Sequence, residues 1–112
     1  MQIIYTPASI LHIVELYYSD GTLVDNTTLT EIEVTFRNKS TNITLTKVWR
    51  LSNGTITLEG ANSILLIVNT EEVALLVNGV YEQTIVTEEA DSRFTDDIRI
   101  RKGKSDAFEI KL

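Results

Sequence analysis

Residues 30–37 read Thr-Glu-Ile-Glu-Val-Thr-Phe-Arg, and this stretch decides the fold class. Apolar and polar residues alternate strictly, so that Ile32, Val34 and Phe36 share one face of an extended chain. Such alternation is typical of a β-strand with one face buried and the other in water. We therefore expect a strand here that packs these three side chains into the core.

Neighbouring segments also have the composition of strands. Residues 11–18 are aliphatic or aromatic on both faces, which predicts a central strand. Residues 42–51 carry Trp49 on an apolar face that a lysine interrupts, as in a strand near an edge. Asn53-Gly54 then predicts a two-residue hairpin turn into the next strand.

The second half of the chain predicts further strands and one helical turn. The turn is capped by Asn69 or Thr70 and occupies residues 70–76, with two glutamates where the helix dipole favours them. An acidic loop over residues 88–97 precedes a last hairpin around Gly103. The strands are expected at residues 64–68, 80–87, 98–101 and 107–112.

Short strands at spacings of about 8–14 residues, without a long amphipathic helix, are typical of an antiparallel sandwich or barrel. We expect an all-β fold, an antiparallel immunoglobulin-like β-sandwich of seven to eight short strands with one short helical turn near residues 70–76. The length favours a single domain over residues 1–112. Residues 1–9 are either its first strand or an N-terminal arm that adds a strand to a neighbour.

The residue types present argue against several kinds of chemistry. The chain has no cysteine, which excludes disulfide frameworks and thiolate metal sites. Its one histidine, His12, lies in an apolar segment, and no G-x-S-x-G or G-x-x-x-x-G-K motif occurs. The five carboxylates of residues 88–97 lack the spacing of a calcium loop. We expect no catalytic residue, no metal and no cofactor.

Charge and hydropathy argue against nucleic acid and membrane as partners. The net charge is −6, whereas affinity for phosphates comes from lysine and arginine. The longest apolar run has five residues, far short of the roughly 20 that span a bilayer. The N-terminus lacks the basic and apolar regions of a signal peptide, so we expect no export by that route.

The charges are distributed unevenly along the chain. Residues 71–97 carry eight acidic residues and one basic residue, whereas residues 98–112 carry five basic and two acidic ones. The segments are either two solvated loops or complementary poles for head-to-tail self-association. On the second interpretation the chain forms a homo-oligomer. The candidate assembly surface then comprises Ile3, Ile4, Tyr5, Glu88, Glu89, Asp91, Arg99, Arg101 and Lys102.

Two stretches resemble a known group of proteins. Residues 64–81 read as a strand, a short turn at Thr70-Glu-Glu, an L-x-x-G-x-Y motif ending at Tyr81, and a further strand. Residues 18–25 contain D-G-x-x-x-D before the strand at residues 30–37. Both resemble small β-sandwich modules of tailed-phage virion proteins, such as the N-terminal domains of upper-baseplate proteins.

The resemblance implies a non-enzymatic structural protein of a bacteriophage virion, in the tail, baseplate, neck or capsid. Such a protein would be made in the host cytoplasm and would contact itself and other virion proteins. Baseplate modules usually continue into a coiled coil or receptor-binding domain, whereas this sequence ends at Leu112. We therefore expect a stand-alone unit of the particle or one excised module.

The alternative is a secreted or cell-surface immunoglobulin-like binding module for carbohydrate. Four Asn-x-Ser/Thr sequons favour it, and exposed aromatic rings would carry it. Candidates for such rings are Tyr17, Tyr18, Trp49 and Tyr81.

Overall fold

Two β-sheets make up the computed structural model, which describes residues 1–5, 9–73 and 76–111. The described strands are β1 (Gln2–Ile4), β2 (Ile10–Glu15), β3 (Leu29–Asn38), β4 (Trp49–Arg50), β5 (Ile56–Glu59), β6 (Ser63–Val68), β7 (Gly79–Ala90) and β8 (Ile98–Ile110). The larger sheet has the order β1-β8-β7-β3-β4, and the smaller has the order β2-β6-β5. All pairs are antiparallel except β1 with β8. The all-β prediction with two sheets is confirmed.

β3 supplies the centre of the core, as its alternation predicts. Ile32, Val34 and Phe36 have no exposed surface, and Trp49 is 1% exposed. The Phe36 ring meets the Trp49 ring edge-on at 5.1 Å between centroids and the Phe108 ring at 5.2 Å. Trp49 also donates from Nε1 to the carbonyl oxygen of Ile67 on β6 at 3.0 Å. The aromatic cluster therefore joins the two sheets.

A chain of polar side chains runs from His12 and Gln83 in the core to Ser105 at the surface. His12 Nε2 lies 2.7 Å from Gln83 Oε1, and Gln83 Nε2 donates to Ser105 Oγ at 3.0 Å. Because an amide oxygen only accepts, Nε2 of His12 carries the proton. The imidazole is packed edge-on between the rings of Phe36 and Phe108. Burial lowers the pKa of His12, and the bond to Gln83 partly offsets this.

A close approach at Gly79 fixes where β7 begins. Gly79 has a φ of 137°, and a Cβ there would lie 2.9 Å from Asn38 Oδ1. Asn38 is buried at the end of β3, where its Oδ1 accepts from the backbone N–H groups of Ser40 and Thr41. Its Nδ2 donates to the carbonyl oxygen of Asn78. Only glycine therefore fits opposite this amide.

β2 lies at the edge of the smaller sheet, which corrects the prediction of a central strand. Its inward residues are buried, but Leu11 and Ile13 on the other face are exposed. A strand with apolar residues on both faces is buried on both faces only where a layer of structure packs against each of them. Within the described chain, no second layer covers the outer face of this sheet.

The segment before Trp49 is mostly irregular, which corrects the strand predicted over residues 42–51. Only Trp49–Arg50 forms a strand there, at the edge of the larger sheet, and Thr44 makes one isolated bridge to Arg37. The turn at Asn53-Gly54 joins β4 to β5, which belong to different sheets, so it is no hairpin. Burial of apolar side chains from both sheets outweighs the local turn preference.

β8 is one continuous strand rather than a hairpin around Gly103. It pairs with β7 from Gly79↔Ile110 to Ala90↔Ile98, with one irregularity beside Tyr81. β7 itself runs through Glu88 and Glu89, so the acidic loop is shorter than predicted. Two long strands that satisfy each other's backbone groups outweigh a single glycine, which is tolerated within a strand.

The helical turn is confirmed over Thr70–Val73, which we name α1. The backbone N–H of Asn69 donates to Glu72 Oε1 at 3.0 Å, as in one half of a capping box. Residues 74–75 of the predicted turn lie outside the described residues, and so do residues 6–8 of the predicted arm.

Replacing Phe36 with alanine should lower the free energy of unfolding by roughly 3–5 kcal/mol, because it leaves a cavity between aromatic rings. Thr35→Ala is the matched control on the opposite face of β3, and it should change stability by about 0.5 kcal/mol or less. Urea unfolding measures both. Equal effects of the two substitutions would contradict the face assignment.

Stability should fall as the pH is lowered from 7.5 towards 5.5. The unfolded chain protonates its histidine near pH 6.5, whereas the folded state resists protonation because burial lowers the pKa of His12. The contribution of the neutral, buried imidazole to the free energy of unfolding is therefore fully present above that pH and is lost as the pH falls below it. His12→Gln should flatten the dependence in urea unfolding across this range, since the chain has no other histidine. A slope that survives in the variant would refute this assignment.

Candidate functional site

The structure places the charged residues of the predicted assembly surface on the adjacent strands β7 and β8, except Asp91, which lies in the loop between them. Arg101 makes an ion pair with Glu89, and its guanidinium lies 4.6 Å from the centre of the Tyr18 ring. Arg99 lies 5.3 Å from the centre of the Phe94 ring. One basic and one acidic residue of these segments are therefore paired within the chain, which argues against complementary poles, and self-association through these charges stays a prediction.

In the loop between these strands, Asp91 is paired with Arg93. Asp91 accepts from Arg93 Nε at 2.9 Å and from Nη2 at 2.7 Å. These hydrogen bonds lower the pKa of Asp91 to about 2. Glu88 points away from Glu89 on the opposite face of β7, because successive strand residues alternate. Glu88 and Glu89 thus lie on opposite sides of the sheet, and Asp91 is paired with Arg93.

The apolar residues of the predicted surface lie on β1. This strand runs parallel to the end of β8, with Ile3 opposite Glu109 and Ile4 opposite Ile110. Ile4 packs against the core, whereas Ile3 and Tyr5 are exposed. In the structure, therefore, the N-terminal strand joins its own sheet.

A second apolar surface lies on the other side of the molecule. Leu11 lies opposite Ile67, and Ile13 lies opposite Leu65, on the outward side of β2 and β6. Leu11 is 58% exposed, Ile13 51% and Ile67 46%, while Leu65 is half-buried. We name these four side chains the apolar face. Directly opposed pairs on neighbouring strands touch each other, so they form one continuous patch.

Sequence reasoning did not select the apolar face, although the signal for it was present. Both contributing segments, residues 10–14 and residues 64–68, are apolar at every position except His12. Such segments fill both faces of a strand with apolar side chains. In a sandwich of two sheets only one face of each sheet meets the core, and the surplus is exposed.

A groove of about 1010 Å³ opens between the two sheets beside β8. We name it the cationic groove. Its aliphatic lining residues are Val14, Leu16, Val24 and Ile85. The charged residues along its wall on β8 are Arg99, Arg101, Lys102 and Lys104.

The opposite wall of the cationic groove is formed by the end of β2 and the segment that follows it. It carries Glu15 and Asp20. The Tyr17 hydroxyl donates to the Glu15 carboxylate, which raises the pKa of Tyr17. Asp20 accepts from the backbone N–H of Thr22 at 2.9 Å and from its hydroxyl at 2.7 Å. Both carboxylates are thus engaged by their own turn.

The aromatic candidates for sugar binding divide between core and surface. Trp49 and Tyr81 are each 1% exposed. Tyr17 is exposed at the cationic groove, while the face of Tyr18 is occupied by Arg101. The four rings therefore do not form a common platform.

Within the described ranges, no three histidine, cysteine or acidic side chains converge as metal ligands would. The same part of the chain contains no helix with the length and apolar character needed to cross a membrane. No protein-family model, no curated protein and no solved structure matches this chain.

Calcium should leave the melting temperature unchanged. Asp91 is already paired with Arg93, and Glu88 and Glu89 point to opposite faces of β7, so these groups cannot encircle one ion. Thermal melts with millimolar calcium and with a chelator should agree within error. A rise of several degrees in calcium would contradict this and would direct attention to Asp91, Asp96 and Asp97.

Proposed function

We propose that this chain is a non-enzymatic structural subunit that acts by homo-oligomeric packing, as a component of a bacteriophage virion. The observation that carries the self-association is the apolar face. Its continuous aliphatic patch lies on two regularly paired strands, and a monomer would leave that patch in water.

A second copy of the chain is the natural occupant of this patch. Two-fold packing places the same patch of one subunit against that of the other, and four aliphatic side chains are complementary to themselves. Sheets that pack face to face do so about 10 Å apart through such side chains. Glu15 and Glu59 border the patch at one end, so they disfavour arrangements that bring the two acidic ends together.

The assignment to a phage particle is supported by the resemblance. The strand, short helix and strand of that motif correspond to β6, α1 and β7. An immunoglobulin-like arrangement of the two sheets is part of the same proposal, and it is supported by the spacing of the strands along the chain and by the presence of two β-sheets. The role of His12 supports a structural function too, because its imidazole bonds to Gln83 and packs on two phenylalanine rings.

Ile13→Glu should weaken self-association by tenfold or more, since it places an unpaired carboxylate in the centre of the contact. The matched control is Ile100→Glu, which introduces the same charge at an exposed isoleucine of the larger sheet. Light scattering across a concentration series measures the association of all three proteins.

The control variant should associate like the unaltered chain. If Ile13→Glu and Ile100→Glu associate equally well, the apolar face is not the contact. If the unaltered chain stays monomeric at high micromolar concentration, self-association itself is refuted.

A further inference from the structure

The edge of β8 that faces away from β7 is open over most of its length. β1 pairs only with Phe108–Ile110 of this strand. In the described part of the chain, no strand pairs with that edge over residues 98–106. An open edge presents backbone N–H and C=O groups in a regular row, which is a template for a further strand.

This open edge borders the cationic groove. Gly103, Lys104 and Ser105 of the edge line the groove together with Leu16 and Val24 of the opposite wall. A strand placed beside residues 98–106 would therefore pair with β8 and cover the apolar residues at the same time. The groove supplies room for side chains on the inward side of such a strand.

We propose that this open edge binds an extended segment of a partner protein as an additional strand, with apolar side chains inward and acidic side chains outward. The proposal goes beyond self-association, because it uses a different sheet and a different partner. Main-chain hydrogen bonds supply affinity in this mode of recognition, and alternate side chains supply specificity.

The inward preference follows from the groove lining. Leu16 and Val24 are 7% exposed, and Ile85 packs against the same core from β7. Apolar side chains laid over them would extend the core. Arg99 and Arg101 flank this lining on the inward face of β8, where Arg101 is already neutralised by Glu89.

The outward preference follows from the lysines of the edge. Lys102 and Lys104 border the groove, but they alternate along β8 with Arg101 and Gly103, so their side chains leave the outward face of the sheet. Both lysines are exposed, and neither makes an ion pair with any described residue. Opposite charges on neighbouring strands attract across the sheet, and like charges repel. Acidic residues on the outward side of the added strand match both lysines.

The same charges disfavour a second copy as the occupant. Antiparallel pairing of two β8 edges would place the lysines of one chain beside those of the other. Lysine on an edge strand is a common device against such pairing. The lysines therefore disfavour pairing with the β8 edge of a second copy and favour pairing with an acidic strand. Specificity then comes from repulsion of the wrong partner as well as attraction of the right one.

A synthetic peptide tests the proposal on the unaltered chain. The probe is a nine-residue peptide, capped at both ends, that alternates valine with glutamate. Its binding is measured by fluorescence anisotropy, and the site by amide hydrogen exchange. We expect saturable binding and slowed exchange within residues 98–106. The same peptide with N-methylated backbone amides should not bind, because it cannot complete the ladder.

Reversing the charges of the two lysines tests the outward preference of the edge for acidic residues. Lys102→Glu with Lys104→Glu should weaken binding of the glutamate peptide by roughly tenfold, since two attractions become repulsions. The same double variant should gain affinity for a peptide that alternates valine with lysine. The control Lys111→Glu, beyond the open edge, should leave the affinity of the glutamate peptide within twofold.

Three results would overturn the proposal. The first is equal binding of the glutamate and lysine peptides to the unaltered chain. The second is binding of the N-methylated peptide as tightly as its parent. The third is displacement of the peptide by inorganic polyphosphate with no protection of residues 98–106, which would identify a general anion site. None of these depends on the apolar face, so self-association is judged separately.

Discussion

The packing of Phe36 between the two sheets is the interaction on which the rest of the structure depends. Its ring contacts His12 from the smaller sheet and Trp49 and Phe108 from the larger one. Aromatic rings in edge-on contact restrict both distance and orientation. This cluster sets how the smaller sheet lies on the larger, and therefore which faces and edges remain outside.

What remains outside follows from unequal sheet sizes. Five strands form the larger described sheet and three form the smaller. One face of each sheet packs into the core between them, and the other face of each lies outside. The smaller sheet carries apolar residues on both faces, and the surplus becomes the apolar face. The larger sheet carries a strand, β8, that is longer than its partner β1, and the surplus becomes the open edge. The two proposed contacts thus arise from the same architecture.

Sequence patterns predicted what depends on local alternation. The strand around Ile32, Val34 and Phe36, the burial of Trp49 and the helical turn after Asn69 follow from periodicity and capping. The sequence did not predict that β4 and β5 belong to different sheets. The Asn53-Gly54 turn between them has the same local chemistry whether it joins two paired strands or strands of two sheets. The continuity of β8 was missed for a related reason: Gly103 resembles a turn until the long register with β7 is known.

The candidate surfaces show the same division. The charged residues between positions 88 and 102 were predicted from composition, but the pairing of Glu89 with Arg101 depends on the register of β7 with β8, which composition does not specify. The apolar face was visible as strands that were apolar on both sides, and only the three-stranded sheet reveals that one side is uncovered. Exposure of an apolar face is a property of the assembled layers and not of any single strand.

Methyl NMR with a soluble paramagnetic agent shows whether the apolar face is buried between copies of the chain. We expect the methyl groups of Leu11, Ile13 and Ile67 to become shielded from the agent as protein concentration rises, while those of the similarly exposed Ile100 remain accessible. If all four residues stay equally accessible at every concentration, the apolar face is not the surface through which this chain assembles.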